Sequence, residues 1–295
     1  MPRAAQLSIH ARVSGIGDAA WQEPPLVQVW GLRYSAYVIA ERDVALFTLG
    51  RLSDDPSRRR RAEDTADRLA AVLGEERMDV RDAARIAGLE PNSLRYAAPT
   101  GKFLIYWDGA RQPLIWSIPA PDVDPVDARL KLLRRFLNVL GPANPGSFAS
   151  WAGVRPEVAV SAFRSLDGEL IEVRTPIGTA WILAQDESAL RSATGAGSIR
   201  LLPSGDTYYL LQGVDRELLV QDAASREKLW TSRVWPGAVL VGEEIVGTWR
   251  RSGHKVAVDL WQPIDPASRD PIAEEAESMP LQGIDRPITV NWTEP

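Results

Sequence analysis

From residue 124 to 184 the apolar positions change period, and the changes mark out the elements. Leu130, Leu133, Leu137 and Leu140 recur at helical spacing behind Asp124 and Pro125, a capping residue and a suitable first helical residue. Gly141-Pro142 stops that helix. Asn144-Pro145 opens a short second helix carrying Phe148 and Trp151, and Gly153 closes it as a left-handed cap. A third helix, from Pro156 to about Asp167, turns Ala159, Phe163 and Leu166 inward and leaves Arg155, Ser161, Arg164 and Ser165 outward. Gly168 ends it, and the runs ELIEV and AWILA then flank a Thr-Pro-Ile-Gly turn, the pattern of a hairpin. Three helices and a hairpin predict a winged helix-turn-helix over 124–184. Such a module offers a helix to a DNA major groove and a strand loop to the neighbouring backbone. Winged helices also dock proteins, so the pattern alone leaves the partner open.

The plan recurs upstream. Over 41–118, a helix at about 41–51 leads through Asp54-Asp55-Pro56 into an arginine-rich helix, 57–73, with Ala62, Ala66, Leu69, Val72 and Leu73 on its apolar face. The run Arg58 to Arg61 reads as a solvated helix start, because Glu63, Asp64 and Asp67 lie one turn on. A second helix ends at Gly88, a short third covers PNSLRYA, and KFLIYW and PLIWSI form a hairpin around Asp108-Gly109. Arg111 at its tip and Lys102 at its base are placed to reach a phosphate, while Trp107 and Trp116 read as cross-strand packing partners. Residues 1–40 carry a shorter version: an amphipathic stretch over 3–13 with Ala4, Leu7 and Ala11 inward, then two short strands within 26–40. They predict a partial N-terminal winged-helix unit. A stiff linker, 119–125, precedes the 124–184 module. Residues 199–264 read as a mostly β domain, most economically a small β-barrel, and 265–295 as an acidic, Pro-rich tail with a helix at about 271–279. The predicted fold class is α+β, tandem winged helix-turn-helix modules followed by a small β-barrel domain.

Composition narrows the chemistry. The chain of 295 residues has no cysteine, which excludes disulfides, thiolate metal sites and a cysteine nucleophile. Its two histidines, His10 and His254, are far apart in sequence, and no phosphate-cradling glycine loop occurs, so neither metal nor cofactor is expected. No apolar run approaches the roughly 18 residues of a membrane span and no signal-peptide core is present, which predicts a cytoplasmic protein with no membrane partner. A net charge of -5 speaks against nucleic acid until its distribution is read. Residues 1–120 carry 16 cationic and 15 anionic side chains, 121–184 carry 7 and 7, and 185–295 carry 11 and 17. The acidity is C-terminal, and phosphate binding depends on local basic faces. Of the 34 cations 30 are arginine, which suits bidentate contacts to phosphate and guanine and equally reflects a GC-rich genome.

Five phrases occur in order: WGLR at 30–33, WDGARQPLIW at 107–116, LGPANPGSFASWAG at 140–153, RLLPSGDTYY at 200–209 and VLVGEEIVGTWRR at 239–251. Together they resemble the AlkZ/YcaQ-type winged-helix family, bacterial proteins that include DNA glycosylases able to unhook alkylated and crosslinked bases. The resemblance implies tandem winged helices and a β-barrel around a DNA channel, with double-stranded DNA, alkylated or crosslinked, as partner, and a monomer at the nucleoid. Glycosylases of the family carry a Gln-x-Gln pair just ahead of the stretch that resembles Pro2–Val13. The sequence starts at that stretch, so the pair is missing from it; a native chain extending upstream, with Met1 an internal methionine, is one expectation. Gln6 lies on the wrong side of the stretch to replace the pair. In the first wing the family often reads Arg-Gly-Thr followed shortly by His; here Arg33 is kept and Tyr34, Ser35 and Tyr37 stand in the other places.

Cleaving an N-glycosidic bond passes through an oxocarbenium-like state, with a water held against the sugar by an amide or, better, a carboxylate. Asp206 and Asp108 are the nearest carboxylates by motif, but Asp206 reads as a loop-fixing cap and Asp108 as a turn residue, so no catalytic residue is assigned. For DNA contacts the sequence nominates Arg33, Arg111, Arg155, Arg164, Arg250 and Arg251, each near a hairpin tip or a third helix. Trp249 reads as barrel core rather than a wedge. Two functions stay open: a DNA glycosylase, active if the native chain extends upstream of Met1, and a non-catalytic DNA-binding protein or transcriptional regulator. A protein-docking scaffold is a third.

Overall fold

Short polar caps fix where the helices begin. The computed structural model describes residues 2–17, 19–193, 197–281, 283–284 and 286–293. The chain divides into two units, one formed chiefly by Trp21–Leu190 and the other by Ala4–Ala20 with Arg191–Pro295. Helix α1 (Pro2–His10) belongs from Ala4 onward to the second.

In the first unit, β1 (Leu26–Trp30) and β2 (Ala36–Ala40) form an antiparallel hairpin. The helix expected over 41–51 is broken into a 3-10 turn, α2 (Val44–Phe47) and a second 3-10 turn at Leu49–Arg51. Gly50 explains the break: a Cβ there would lie 3.1 Å from the Ala128 carbonyl, so this backbone packs directly on the helix that contains Ala128. The long helix α3 (Pro56–Leu73) starts where Asp55 accepts the N–H groups of Ser57 and Arg58, and it buries Ala62, Ala66, Leu69 and Leu73. Strand β3 (Met78–Asp79) leads into α4 (Val80–Ala87), capped by Asp79. The third helix expected in this region is a 3-10 stretch, Pro91–Thr100. Strands β4 (Phe103–Tyr106) and β5 (Leu114–Ser117) complete a five-stranded sheet in the order β2-β1-β4-β5-β3. The two hairpins therefore share one sheet across residue 40. The buried Gln28 amide stitches them, accepting from the Trp107 N–H at 3.0 Å.

Helix α5 (Pro125–Leu140) follows, capped by Asp124. Its buried face is broader than the leucine pattern: Leu132 and Phe136 join Leu133 and Leu137, while Leu130 and Leu140 lie at its edges. Helices α6 (Pro145–Ala152), capped by Asn144, and α7 (Pro156–Ser165) pack on it around Phe148, Trp151 and Phe163, and the hairpin β6 (Leu170–Thr175) and β7 (Gly178–Leu183) comes next. Each fully buried Leu or Phe of this cluster contributes about 1.5–3 kcal/mol relative to exposure. A short helix, α8 (Glu187–Arg191), ends the unit.

The second unit differs from the expected barrel. Strands β8 (Ile199–Leu202), β9 (Gly237–Val241), β10 (Glu244–Ser252), β11 (Lys255–Leu260) and β12 (Thr289–Thr293), with helices α9 (Ala223–Leu229) and α10 (Arg269–Glu277), make an open sheet ordered β12-β11-β10-β9-β8. The reason is that both faces are covered. Leu201, Val239 and Val246 face a core with Leu7 of α1 and Ile272 and Ala276 of α10, whereas Leu202, Ala238 and Ile245 face a second with Tyr209, Leu229 and Trp230. A sheet packed on both sides has no interior left to close around. The tail supplies the expected helix as α10, and in addition the strand β12, which pairs parallel with β11. Residues 1–40 do not hold together as one unit either: Leu7 and Ala11 are buried here, apart from the β1–β2 hairpin.

Candidate nucleic-acid interface

The β1–β2 connection carries the backbone strain. Arg33 (φ 51) and Tyr34 (φ 59) both stand in the left-handed region, which costs a non-glycine residue roughly 1–2 kcal/mol. The Tyr34 ring lies edge-on to Tyr96, centroids 5.1 Å apart, and the Arg51 guanidinium sits 5.0 Å from its centroid. Arg51 is only 6% exposed. Its Nε donates to the Ala152 carbonyl at 2.9 Å and Nη1 to the Gly31 carbonyl, so one side chain ties the end of α6 to the β1–β2 turn. Burial pulls the Arg51 pKa down to about 10, with Tyr34 and Tyr37 opposing the shift. It forms no ion pair among the described residues.

What holds Arg51 in place is Arg129 on α5. This buried guanidinium donates to the carbonyls of Gly50 (3.1 Å) and Leu52 (2.7 Å) and grips both oxygens of Asp54 at 2.9 and 3.0 Å. The segment between these anchors opens onto a cavity of about 410 Å³, whose walls include Tyr34, Arg51, Arg58, Arg61, Tyr96 and Arg155. Arg58 and Arg61 are one turn apart on α3 and share a face, whereas Arg59 is turned to Glu63 at 3.0 Å. The arginine run is thus split between a cavity wall and a solvated face.

Of the nominated arginines, one lines the cavity and one packs beside Gly153 of its wall. Arg155 lines the cavity, 4.0 Å from Asp55 and paired with Glu157. Arg33 packs beside Gly153 (φ 72), where an added Cβ would lie 3.6 Å from the Arg33 Cγ, and its charge opposes the upward shift that burial gives the Tyr37 hydroxyl. Arg164 is exposed on α7 and makes no ion pair among the described residues. Arg111 stands apart at the β4–β5 tip, where Asp108 accepts the N–H groups of Ala110 and Arg111 at 2.8 and 2.9 Å. Those bonds, Arg111's first, hold the Asp108 carboxyl below its ordinary range, which suits a turn residue. Lys102 is engaged by Asp67 at 2.9 Å. Trp116 lies opposite Leu104 and under Arg77, 4.2 Å from the guanidinium, while the Trp107 indole donates to the Arg111 carbonyl; the two tryptophans are not cross-strand partners.

Arg250 and Arg251 belong to β10 of the second unit, their guanidiniums donating to the carbonyls of Val234 (3.1 Å) and Gly253 (2.6 Å). Trp249 is sheet core, its Nε1 donating to Leu202 at 2.8 Å. Asp206, 1% exposed, accepts from Ser8 Oγ (2.6 Å), Arg12 Nη1 (2.9 Å) and Nη2 (2.7 Å), and the Tyr208 N–H (2.9 Å). A carboxylate so occupied fixes a loop and has no lone pair to offer a water. Gln6 is likewise buried, donating to the Gly17 carbonyl at 2.8 Å.

Sequence reasoning missed Arg51, Tyr34 and Tyr96. One signal was present: Tyr34 stands where the resembled family reads glycine, and its φ of 59 is a value glycine adopts freely.

The model of the family described as DNA glycosylase AlkZ-like matches residues 1–280. The solved structure of Streptomyces sahachiroi DNA glycosylase AlkZ superposes with a TM-score of 0.79, over 99% of this chain and 89% of that one, at 14% identity, a likeness of fold. No curated protein sequence matches. With the family model spanning nearly its whole length, the chain belongs to the AlkZ-like DNA glycosylase family.

Proposed function

We propose that this chain binds duplex DNA through tandem winged helices and acts as a glycosylase on alkylated or crosslinked bases. The observation that carries the reading is the succession α5, α6, α7 and the β6–β7 hairpin, in which α7 leaves Ser161 and Arg164 exposed and starts at the cationic cavity wall. A helix so presented suits a major groove, and the hairpin suits the backbone beside it. Arg33 and Arg155 add charge next to it, as phosphate contacts that fix register; Arg111, Arg164, Arg250 and Arg251 are further contacts of the same kind.

Excision fits an alkylated base because that base carries positive charge and leaves neutral once the N-glycosidic bond breaks. The protein must hold a water and stabilise the sugar cation. Asp206 and Gln6 are consumed by structural hydrogen bonds and Asp108 by its turn, so none takes that role. A second reading, DNA binding without excision, is favoured by one observation: Asp206, the carboxylate of the LLPSGD phrase, has its oxygens occupied by Ser8, Arg12 and the Tyr208 N–H. The test is incubation with a duplex containing N7-methylguanine, reading the free base by mass spectrometry. Release of 7-methylguanine supports the glycosylase; retention of duplex binding with no release selects the non-catalytic reading.

A further inference from the structure

The Arg51 cavity has a property that general DNA affinity does not require. A guanidinium taken out of water needs a counter-charge or a full set of acceptors. Arg51 is 6% exposed, and of its five N–H donors one on Nε and one on Nη1 meet backbone carbonyls; the side chain lines the cavity and forms no ion pair among the described residues. The one carboxylate on the cavity wall, Asp54, has both oxygens taken by Arg129. Arg58 and Arg61 form no ion pair among the described residues, and both line the same space. Arg155 and Val158 at the start of α7 border it as well, with the Val158 N–H donating to the Arg155 carbonyl at 3.0 Å. Buried cation and cationic rim both present donors to one cavity.

We propose that this cavity is a phosphate site, and that its occupant is a phosphodiester of the DNA backbone, gripped by Arg51 from below and by Arg58 and Arg61 from the rim. The proposal rests on the duplex-binding reading above and assigns a place to one phosphate of that duplex. Charge decides between the parts of a nucleotide. An alkylated purine is itself cationic and is repelled by Arg51, whereas a phosphodiester supplies the counter-charge and two non-bridging oxygens for the guanidinium fork. A volume of about 410 Å³ lies within the range of sites that take small ligands, so a phosphate can enter with part of its sugar. Tyr34 and Tyr96 then form the wall against which that sugar rests.

The test measures duplex binding by fluorescence anisotropy across a salt series for the wild type, Arg51→Lys and the double variant R58Q/R61Q, with melting curves as a folding control. Crystals soaked in tungstate, a phosphate mimic, report on the cavity directly. R58Q/R61Q, altered only at exposed side chains, is expected to melt like the wild type, bind roughly tenfold more weakly and lose about 1 from the slope of log K against log salt. Arg51→Lys keeps the charge without the fork and is expected to weaken binding while tungstate density at the site fades. Wild-type duplex binding with an unchanged slope in R58Q/R61Q overturns the proposal and leaves the duplex-binding reading standing. Tungstate bound at Arg51 with no duplex binding at all overturns both, and assigns the cavity to a free phosphorylated ligand.

Discussion

The guanidinium of Arg51 lies 5.0 Å from the centroid of the Tyr34 ring, and Tyr34 holds that position on a left-handed backbone, φ 59. Strain and contact oppose each other in one residue. Tyr34→Gly relieves roughly 1–2 kcal/mol of backbone strain but raises the entropy of the unfolded chain by about 0.5–1 kcal/mol. It also removes a cation–π contact and an edge-on aromatic pair, together about 1–3 kcal/mol. The expected net result is a loss of about 1 kcal/mol in urea denaturation. A stabilised variant would mean that the ring contacts contribute nothing.

Arg129 anchors the cavity floor. Arg129→Met leaves the Gly50 and Leu52 carbonyls without their donor and is expected to cost about 2–3 kcal/mol. Asp54→Asn takes the counter-charge from a buried guanidinium but keeps one acceptor, and is expected to cost less, about 1–2 kcal/mol. Equal losses for the two would show that the ion pair, rather than the carbonyl bonds, carries the anchoring.

Acid should weaken one surface link between α5 and the turn before β6. Glu169 is held below its ordinary value of 4.5 by the hydrogen bonds of Arg134, at 2.6 and 2.7 Å. A carboxylate with a depressed folded-state pKa contributes stability in full above its unfolded value, and that contribution disappears as pH falls through the folded value. Glu169→Gln is therefore expected to lower Tm at pH 7 and to converge on the wild type as pH falls well below the ordinary carboxylate range. A Tm difference that persists at low pH would contradict the sign.

Asp206→Asn separates a structural from a chemical role. Losing the two-pronged bond to Arg12 is expected to cost about 2 kcal/mol, with any base release falling only as far as folding does. Full stability with activity abolished would return Asp206 to the list of catalytic candidates.

What the sequence revealed was local. Asp124 and Asn144 each accept the backbone N–H groups that their spacing promised, because a cap and its helix are neighbours in the chain. Arg51 was illegible because its acceptor on Ala152 lies 101 residues away, and nothing around it marks it for burial. The barrel failed for a reason that was readable: Ala238 to Val241 is a continuous apolar run, the mark of a strand covered on both faces, whereas a barrel strand of this kind should alternate. Strand β12 pairs parallel with β11, a long-range choice that its polar sequence TVNWT does not announce.

The most direct measurement is the affinity of the full chain for duplex DNA across a salt series. The account predicts binding at low salt, tighter for alkylated than for plain duplex, with log K falling linearly against log salt by about 0.9 for each phosphate engaged. Absence of duplex binding at low salt, or binding indifferent to salt, would contradict it.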